Sequence, residues 1–576
     1  MEKNIKRLVS TLLLALMLMP ASYGVAWAAG GDWRDNSNEQ ALLSGAYYYF
    51  TAAQMLKKDG DIKGAIELYN RAIDISPGSA LLYAQTADLY IQTGDYGKAR
   101  SYLDSAVEKD PGLPISYVLR AELYTLLQDN EAAVKNYEKA IEIDPENQKN
   151  YLLLATFQAR IGQFDKGLDV LRRYLKIAPG SVMAHYYMAK IEFNRKDYAE
   201  AEKYYLKAIE LSPAFESAYY ELGMTYEVDN KAALAEKTYK KAILALSDGK
   251  VFRTRLATLY IKQKRFDDAL AQYAELEKFE DTKLNASVKI GLIYFERQEY
   301  AKAIKKLSAL LKERPELNKV RYYLATSYEE NGELDKAAVE FKKTPRRDRD
   351  FVDSRIHLAF IFEKKGDLEG AIAALKEALD VKKDDIELTK LLVSVLRESK
   401  QYDEGIRVLK KAVKIDPRDA ELYFTLGILY DDAGKKDLVV ESMKKALEIN
   451  PDHINALNYL GYTYAERGIK LDEAEKYIKK ALAIKPDSGY FLDSLGWVYY
   501  KKGDYDLAVE KLEKATQTLP NDPVVLEHLG DAYLKKKFKE KALTTYENAS
   551  NLDPSNKKIK VKIENLKKKL KAHKDK

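Results

Sequence analysis

The 576-residue chain contains no cysteine, only three tryptophans and five histidines. Without cysteine there are no disulfides, thiolate metal sites, cysteine nucleophiles or lipid attachment at an N-terminal Cys. The histidines, His185, His357, His453, His528 and His573, are scattered with no ligand-like spacing, so no metal centre or catalytic constellation is read. No glycine-rich phosphate loop follows a strand, because no segment alternates as a strand does. Cofactors are therefore expected to be none. Proline and glycine are modest at 15 and 28, whereas tyrosine is abundant at 43. That balance, rich in Leu, Ala, Lys and Glu, is helical.

The net charge of +6 is unevenly spread. The first 28 residues carry +2 and residues 555–576 carry +8, from ten lysines against Glu564 and Asp575, which leaves residues 29–554 at −4. A mildly acidic body argues against nucleic acid, which wants a basic stripe. Lys3, Lys6 and Arg7 precede an apolar run, Leu8 to Met19, and a small-x-small site, Ala26-Trp27-Ala28. This is the pattern of an export signal cleaved after Ala28; the alternative is a retained anchor, against which Pro20, Ser22 and Gly24 speak.

At this length the chain is either several domains or an array that grows without a central core. Prolines at Pro77, Pro111, Pro145, Pro179 and Pro213 fall 34 residues apart. The register continues through Pro315, Pro417 and Pro451 and, after one inserted residue near Ile469, through Pro486, Pro520 and Pro554. That makes fifteen units. With the proline at position 32, position 20 is always small, as in Ala65, Ala133, Gly167, Ala303 and Val439; position 8 is Ala or Gly in most units and position 11 is mostly Tyr. Small residues at fixed places are what two closely packed helices require. Turn residues such as Gly94-Asp95 and Gly503-Asp504 separate the two helical stripes of each unit. A 34-residue helical hairpin cannot bury its own apolar face, so neighbours must stack.

These marks resemble the tetratricopeptide repeat (TPR); units such as Tyr117, Ala121, Tyr124, Ala133, Tyr137, Ala140 and Pro145 carry the resemblance. It implies an all-α, right-handed superhelical solenoid of about fifteen 34-residue helix-turn-helix repeats. The expected organisation is a signal peptide at 1–28, a short linker at 29–45, repeats 1–9 at 46–349, repeats 10–15 at 350–554 and a basic amphipathic capping helix at 555–576. The cap is read from Ile559, Ile563, Leu566 and Leu570, one stripe of a lysine-covered helix. The division near 349 rests on Thr344 and Pro345, which interrupt the second helix of repeat 9.

Positions 2, 5, 9 and 12 of each first helix would line the concave groove of such an array. Two stretches stand out. One is Phe424, Ile428, Asn458, Tyr462, Asp493, Trp497 and Tyr500 in repeats 12–14; the other, secondary, is Met183, Tyr186, Phe193, Tyr220 and Met224 in repeats 5 and 6. Rings and thioethers interleaved with amide or carboxylate groups suit a peptide, with Asn458 free to bond its backbone; alternatively the rings pack against the next repeat. The segment from Gly461 to Ala515, with its inserted residue and its Leu492-Asp493-Ser494-Leu495-Gly496-Trp497 run, is similar to a block in large TPR proteins of Gram-negative envelopes. Some of those relatives bring a periplasmic C-terminal-processing protease to its substrates, and others serve secretion or polysaccharide export. The expectation is a non-enzymatic scaffold or adaptor of the periplasm, outer-membrane associated or free, binding other proteins or peptides. It is not a lipoprotein, and any membrane contact beyond the signal would come from the basic tail.

Overall fold

The computed structural model describes residues 37–574; the signal segment 1–28 and the first part of the 29–45 linker lie outside them. Every regular element among the described residues is an α-helix. The chain forms two compact units, Met1–Lys283 and Leu284–Lys576, each a row of helical hairpins packed against the next.

The hairpin turn is built locally. In repeat 2 the helix Ala80–Gln92 ends at Thr93, Gly94 takes φ +79°, and Asp95 accepts a hydrogen bond from the Lys98 amide at 3.1 Å to start the helix Tyr96–Lys109. That is a left-handed exit followed by an N-cap. The left-handed residue is required even where the sequence offers no glycine: Gln128, Lys264 and Lys400 hold φ near +60°, a strained setting that the surrounding hairpin imposes.

The small positions sit where helices touch. Ala65, Ala133, Ala303 and Ala508 are fully buried. At Gly223 an added Cβ would lie 2.1 Å from Tyr239 Cε1. Several core tyrosines keep a bonded polar end: the hydroxyls of Tyr239, Tyr260 and Tyr533 donate to Glu227, Glu236 and Glu513 at 2.7, 2.9 and 2.6 Å, which lets those phenols be buried without an orphaned donor. The buried hydroxyls of Tyr69 and Tyr464, by contrast, have no partner among the described residues.

One boundary needs correction. The first helix is Ser37–Lys58, so the expected linker 29–45 is helical from Ser37, because a stretch without proline continues the first helix of repeat 1 upstream.

In the second unit the second helix of repeat 9, Leu334–Lys342, is only 9 residues long. Beyond it Thr344 is buried and its hydroxyl meets Ser354 Oγ at 3.0 Å. At the C-terminal end the helix Lys557–Lys574 buries Ile559 and Leu566, with Ile563 and Leu570 packed beside them, against the preceding repeats. Its charged face stays largely in solvent, but Lys562 Nζ lies 2.8 Å from Glu527 and 2.7 Å from Asp531, and Lys567 reaches Glu547 at 2.8 Å.

Candidate functional site

The first helices of repeats 12–15 are Ala420–Asp432, Ile454–Arg467, Gly489–Lys502 and Pro523–Lys535. Four predicted residues on the second and third of these helices gather around His528 on the fourth, a histidine whose spacing in the sequence points to no ligand role. Its Nδ1 lies 2.9 Å from Asp493 Oδ1, and its ring stacks on Trp497 at 4.0 Å. Tyr462 approaches it at 6.3 Å between ring centroids, and Tyr500 stacks on Trp497 at 4.7 Å. The indole Nε1–H donates to Glu466. Burial, then the Glu466 and Asp493 charges, pushes the Tyr462 hydroxyl well above its ordinary range. Burial and then Asp531 push Tyr500 up to about 12.

Phe424, Ile428 and Asn458 do not join this group. Phe424 packs on His453 at 5.0 Å and on Tyr459 at 6.3 Å. Ile428 is half-buried in the same core. The Asn458 side chain has a buried Oδ1 with no partner among the described residues.

Trp497 and Asp493 are only 8% and 7% exposed, and Phe424 is buried too. Of the two readings open for these rings, Trp497 and Phe424 follow the second: they pack against the next repeat.

In the first unit the secondary group is dispersed. Tyr186 is buried edge-on to Phe215 at 5.1 Å, and burial followed by the Glu221 charge pushes its hydroxyl up to about 12. Phe193 packs on Tyr198 at 5.6 Å. Tyr220 accepts from Arg255, whose guanidinium stands 4.8 Å over its ring. Met183 and Met224 are half-buried.

A rule links these contacts. Position 6 of one first helix reaches position 5 of the preceding one, 35 residues earlier: Arg255 to Tyr220, His357 to Tyr322, His528 to Asp493, and Lys562 of the cap to Glu527. Much of the inner-face polarity therefore fixes the stacking of repeats.

Two inner-face features escape that use, and the sequence reading missed both. Phe360, at position 9 of repeat 10, is 50% exposed. In repeats 2–4 a cleft of about 460 Å³ is lined by Ile91, Glu122, Leu126, Leu153, Phe157 and Arg160, among others. A lone exposed ring and charges left without a partner carry no pattern in the linear sequence. Among the described residues no group of three or more acidic or histidine side chains could hold a metal ion. None of their helices is long and apolar enough to cross a membrane.

Family models described as "Tetratricopeptide repeat" match residues 56–123, 294–359 and 362–426, 254–315, 443–476, and 420–453 and 525–556. A model described as "TPR repeat" matches 496–537. The model for anaphase-promoting complex, cyclosome, subunit 3 matches 126–208. No curated protein matches the chain.

Among solved structures, the APC/C hetero-tetramer Cut9-Hcn1 is 15% identical, with 83% of this chain and 95% of that one covered and a TM-score of 0.35. MamA protein is 27% identical over 29% of this chain and 91% of its own, with a TM-score of 0.27. A tetratricopeptide repeat protein from Parabacteroides merdae is 17% identical over 43% and 98%, with a TM-score of 0.37.

Proposed function

This chain belongs to the tetratricopeptide repeat family, and from that premise we propose that it is an exported adaptor of the bacterial periplasm, holding partner proteins for a protease or an envelope-assembly machine. At the coarser level it is a protein–protein interaction scaffold, the work for which this fold is typically used. The observation that carries the proposal is that hairpins and cap take up the described chain from Ser37 to Lys574. The inner faces of the first helices are left as the working surface. Function on such a scaffold is a property of those side chains and not of the fold.

The periplasmic setting is supported by the basic n-region, apolar run and Ala26-Trp27-Ala28 site, and the adaptor role by the resemblance of residues 461–515 to envelope proteins. A structural part of a secretion or polysaccharide-export complex is the second role this setting accommodates. The membrane-surface role of the tail is weakened by an observation: Ile559 and Leu566, the apolar residues that would enter a bilayer, are buried on the array.

Fractionation and in-cell crosslinking test the proposal. Recovery in the periplasmic fraction with crosslinks to a processing protease or an assembly component is expected. Residence in the cytoplasm, or crosslinks to cytoplasmic proteins alone, would overturn it.

A further inference from the structure

Inner-face charges on this array are commonly paired. Lys57 meets Asp88 at 2.5 Å, Arg397 meets Asp432 at 2.5 Å, and Lys562 meets Asp531 at 2.7 Å. The cleft of repeats 2–4 breaks that habit. Glu122 and Arg160, its two charged lining residues, have no hydrogen bond or ion pair among the described residues, to each other or to a third group.

Arg160 has only the Phe157 ring beneath it, at 5.2 Å. Glu122 is half-buried, and its carboxyl is held above the usual range by burial and then by the Asp88 charge, against the weaker pull of Lys149. Between them the surface is apolar: Leu126 is 49% exposed, Ile91 and Leu153 are half-buried, and Phe157 and Tyr137 pack 5.7 Å apart beneath.

A carboxylate short of a cation and a guanidinium short of an anion, sharing one apolar cleft, define the complement of a ligand. The cleft's about 460 Å³ falls within the range of small-ligand sites, about 300–1,000 Å³, which is room for a short piece of chain and not for a folded surface.

We propose that this cleft is a peptide subsite, which takes an apolar side chain flanked by one acidic residue, held on Arg160, and one basic residue, held on Glu122. The proposal rests on the scaffold reading and names the chemistry of one thing the scaffold holds. The guanidinium offers a planar fork to a carboxylate, and a basic group beside Glu122 restores the charge balance that burial upsets there.

The test uses the full chain and fluorescein-labelled serine-rich decapeptides carrying Lys-Leu-Leu-Glu or Glu-Leu-Leu-Lys at the centre, read by anisotropy. Versions with Glu→Gln, Lys→Gln or both leucines replaced by serine serve as partners. Binding of either parent order is expected, lost in the serine version.

Arg160→Ala should weaken the parent about tenfold, the loss of one charge-assisted hydrogen bond, and leave the Glu→Gln peptide unaffected. Glu122→Gln should do the same for the lysine alone. Both side chains lie outside the core, so unchanged thermal unfolding verifies that the variants fold.

Equal losses for charged and neutral peptides, no binding of either parent at millimolar concentration, or displacement by free leucine as strong as by peptide would each overturn the subsite. If the Arg160→Ala, Glu122→Gln double variant keeps its crosslinks in cells while wild type binds no peptide, the subsite falls and the scaffold reading stands.

Discussion

His528 and Asp493, 35 residues apart, form a buried hydrogen-bonded pair, with Nδ1 2.9 Å from one carboxylate oxygen and 3.2 Å from the other. The pair joins the first helices of repeats 14 and 15, and the imidazole lies stacked on Trp497. Removing one member strands the other in a dry site, which costs about 3 kcal/mol or more. His528→Ala and Asp493→Ala should each lower stability on that scale. The double variant should lose less than the two together. Urea unfolding checks this, and additive losses would mean the two side chains act separately.

The same pair should make the end of the array sensitive to pH. Burial opposes the charged imidazole, but the Asp493 hydrogen bond and charge, followed by Asp531 and Glu466, outweigh it and raise its affinity for a proton. The folded value thus lies above the unfolded one, about 6.5. The stabilisation is then complete below that value and is lost as pH rises through the folded one. Trp497 reports the change, since a stacked imidazolium quenches indole emission. With Trp27 and Trp33 replaced by Phe, emission should rise as the solution becomes alkaline, and it should stay flat in His528→Gln.

Gly223 faces the Tyr239 ring so closely that a Cβ would stand 2.1 Å from it. Gly223→Ala must displace a fully buried ring whose hydroxyl is bonded to Glu227. Overpacking of this kind costs about 1–3 kcal/mol, more than alanine's better helix propensity returns. A melting temperature equal to or above wild type would show that the ring can move freely. Ala121 occupies the same position in repeat 3 above a buried Tyr137, so the close approach belongs to this hairpin's own spacing.

The fold was legible because its determinants repeat: a small residue at position 20, a ring at 11 or 24, and a proline or its equivalent at 32 recur until their spacing alone defines the hairpin. The site was less legible. Trp497 and Phe424 stand at inner-face positions by helical period, yet their rings lie sideways on the next repeat. A single helix's periodicity does not encode that neighbour. The 35-residue step from position 5 to position 6 does, and it would have drawn His528 to Asp493 from the sequence. Glu122 and Arg160 were unreadable for another reason, since having no partner is a property of the assembled surface.

Arg355 repairs the shortened helix of repeat 9. Its Nη1 donates to the Phe341 carbonyl at 3.0 Å, its Nε pairs with Glu377, and its guanidinium lies 4.2 Å over Phe351. Arg355→Met would take one donor from the Phe341 carbonyl, which keeps the Thr344 amide at 3.1 Å, and would leave Glu377 without its partner; losing hydrogen bonds made by a charged group costs about 1.5–3 kcal/mol. Arg355→Lys should not restore the loss, because one ammonium cannot reproduce the planar contact and both bonds. Urea unfolding of both variants decides the matter, and a lysine variant as stable as wild type would reduce the arginine's role to its charge.

The cap should behave as the end of a one-dimensional array. Ending the chain at Pro554 removes Ile559 and Leu566, both buried, which contribute about 1.5–3 kcal/mol each. It also removes Lys562, the cation between Glu527 and Asp531. In a stack where each repeat contacts only its neighbours, that loss stays local. Amide exchange should quicken most over 523–554, less over 489–522, and very little before repeat 12. Lys562→Ala alone should do less than truncation, since Asp531 keeps the Tyr546 hydroxyl at 2.5 Å and the apolar stripe still covers the end. An increase of equal size along the whole second unit would mean that these repeats unfold as one body, and the nearest-neighbour account would fail.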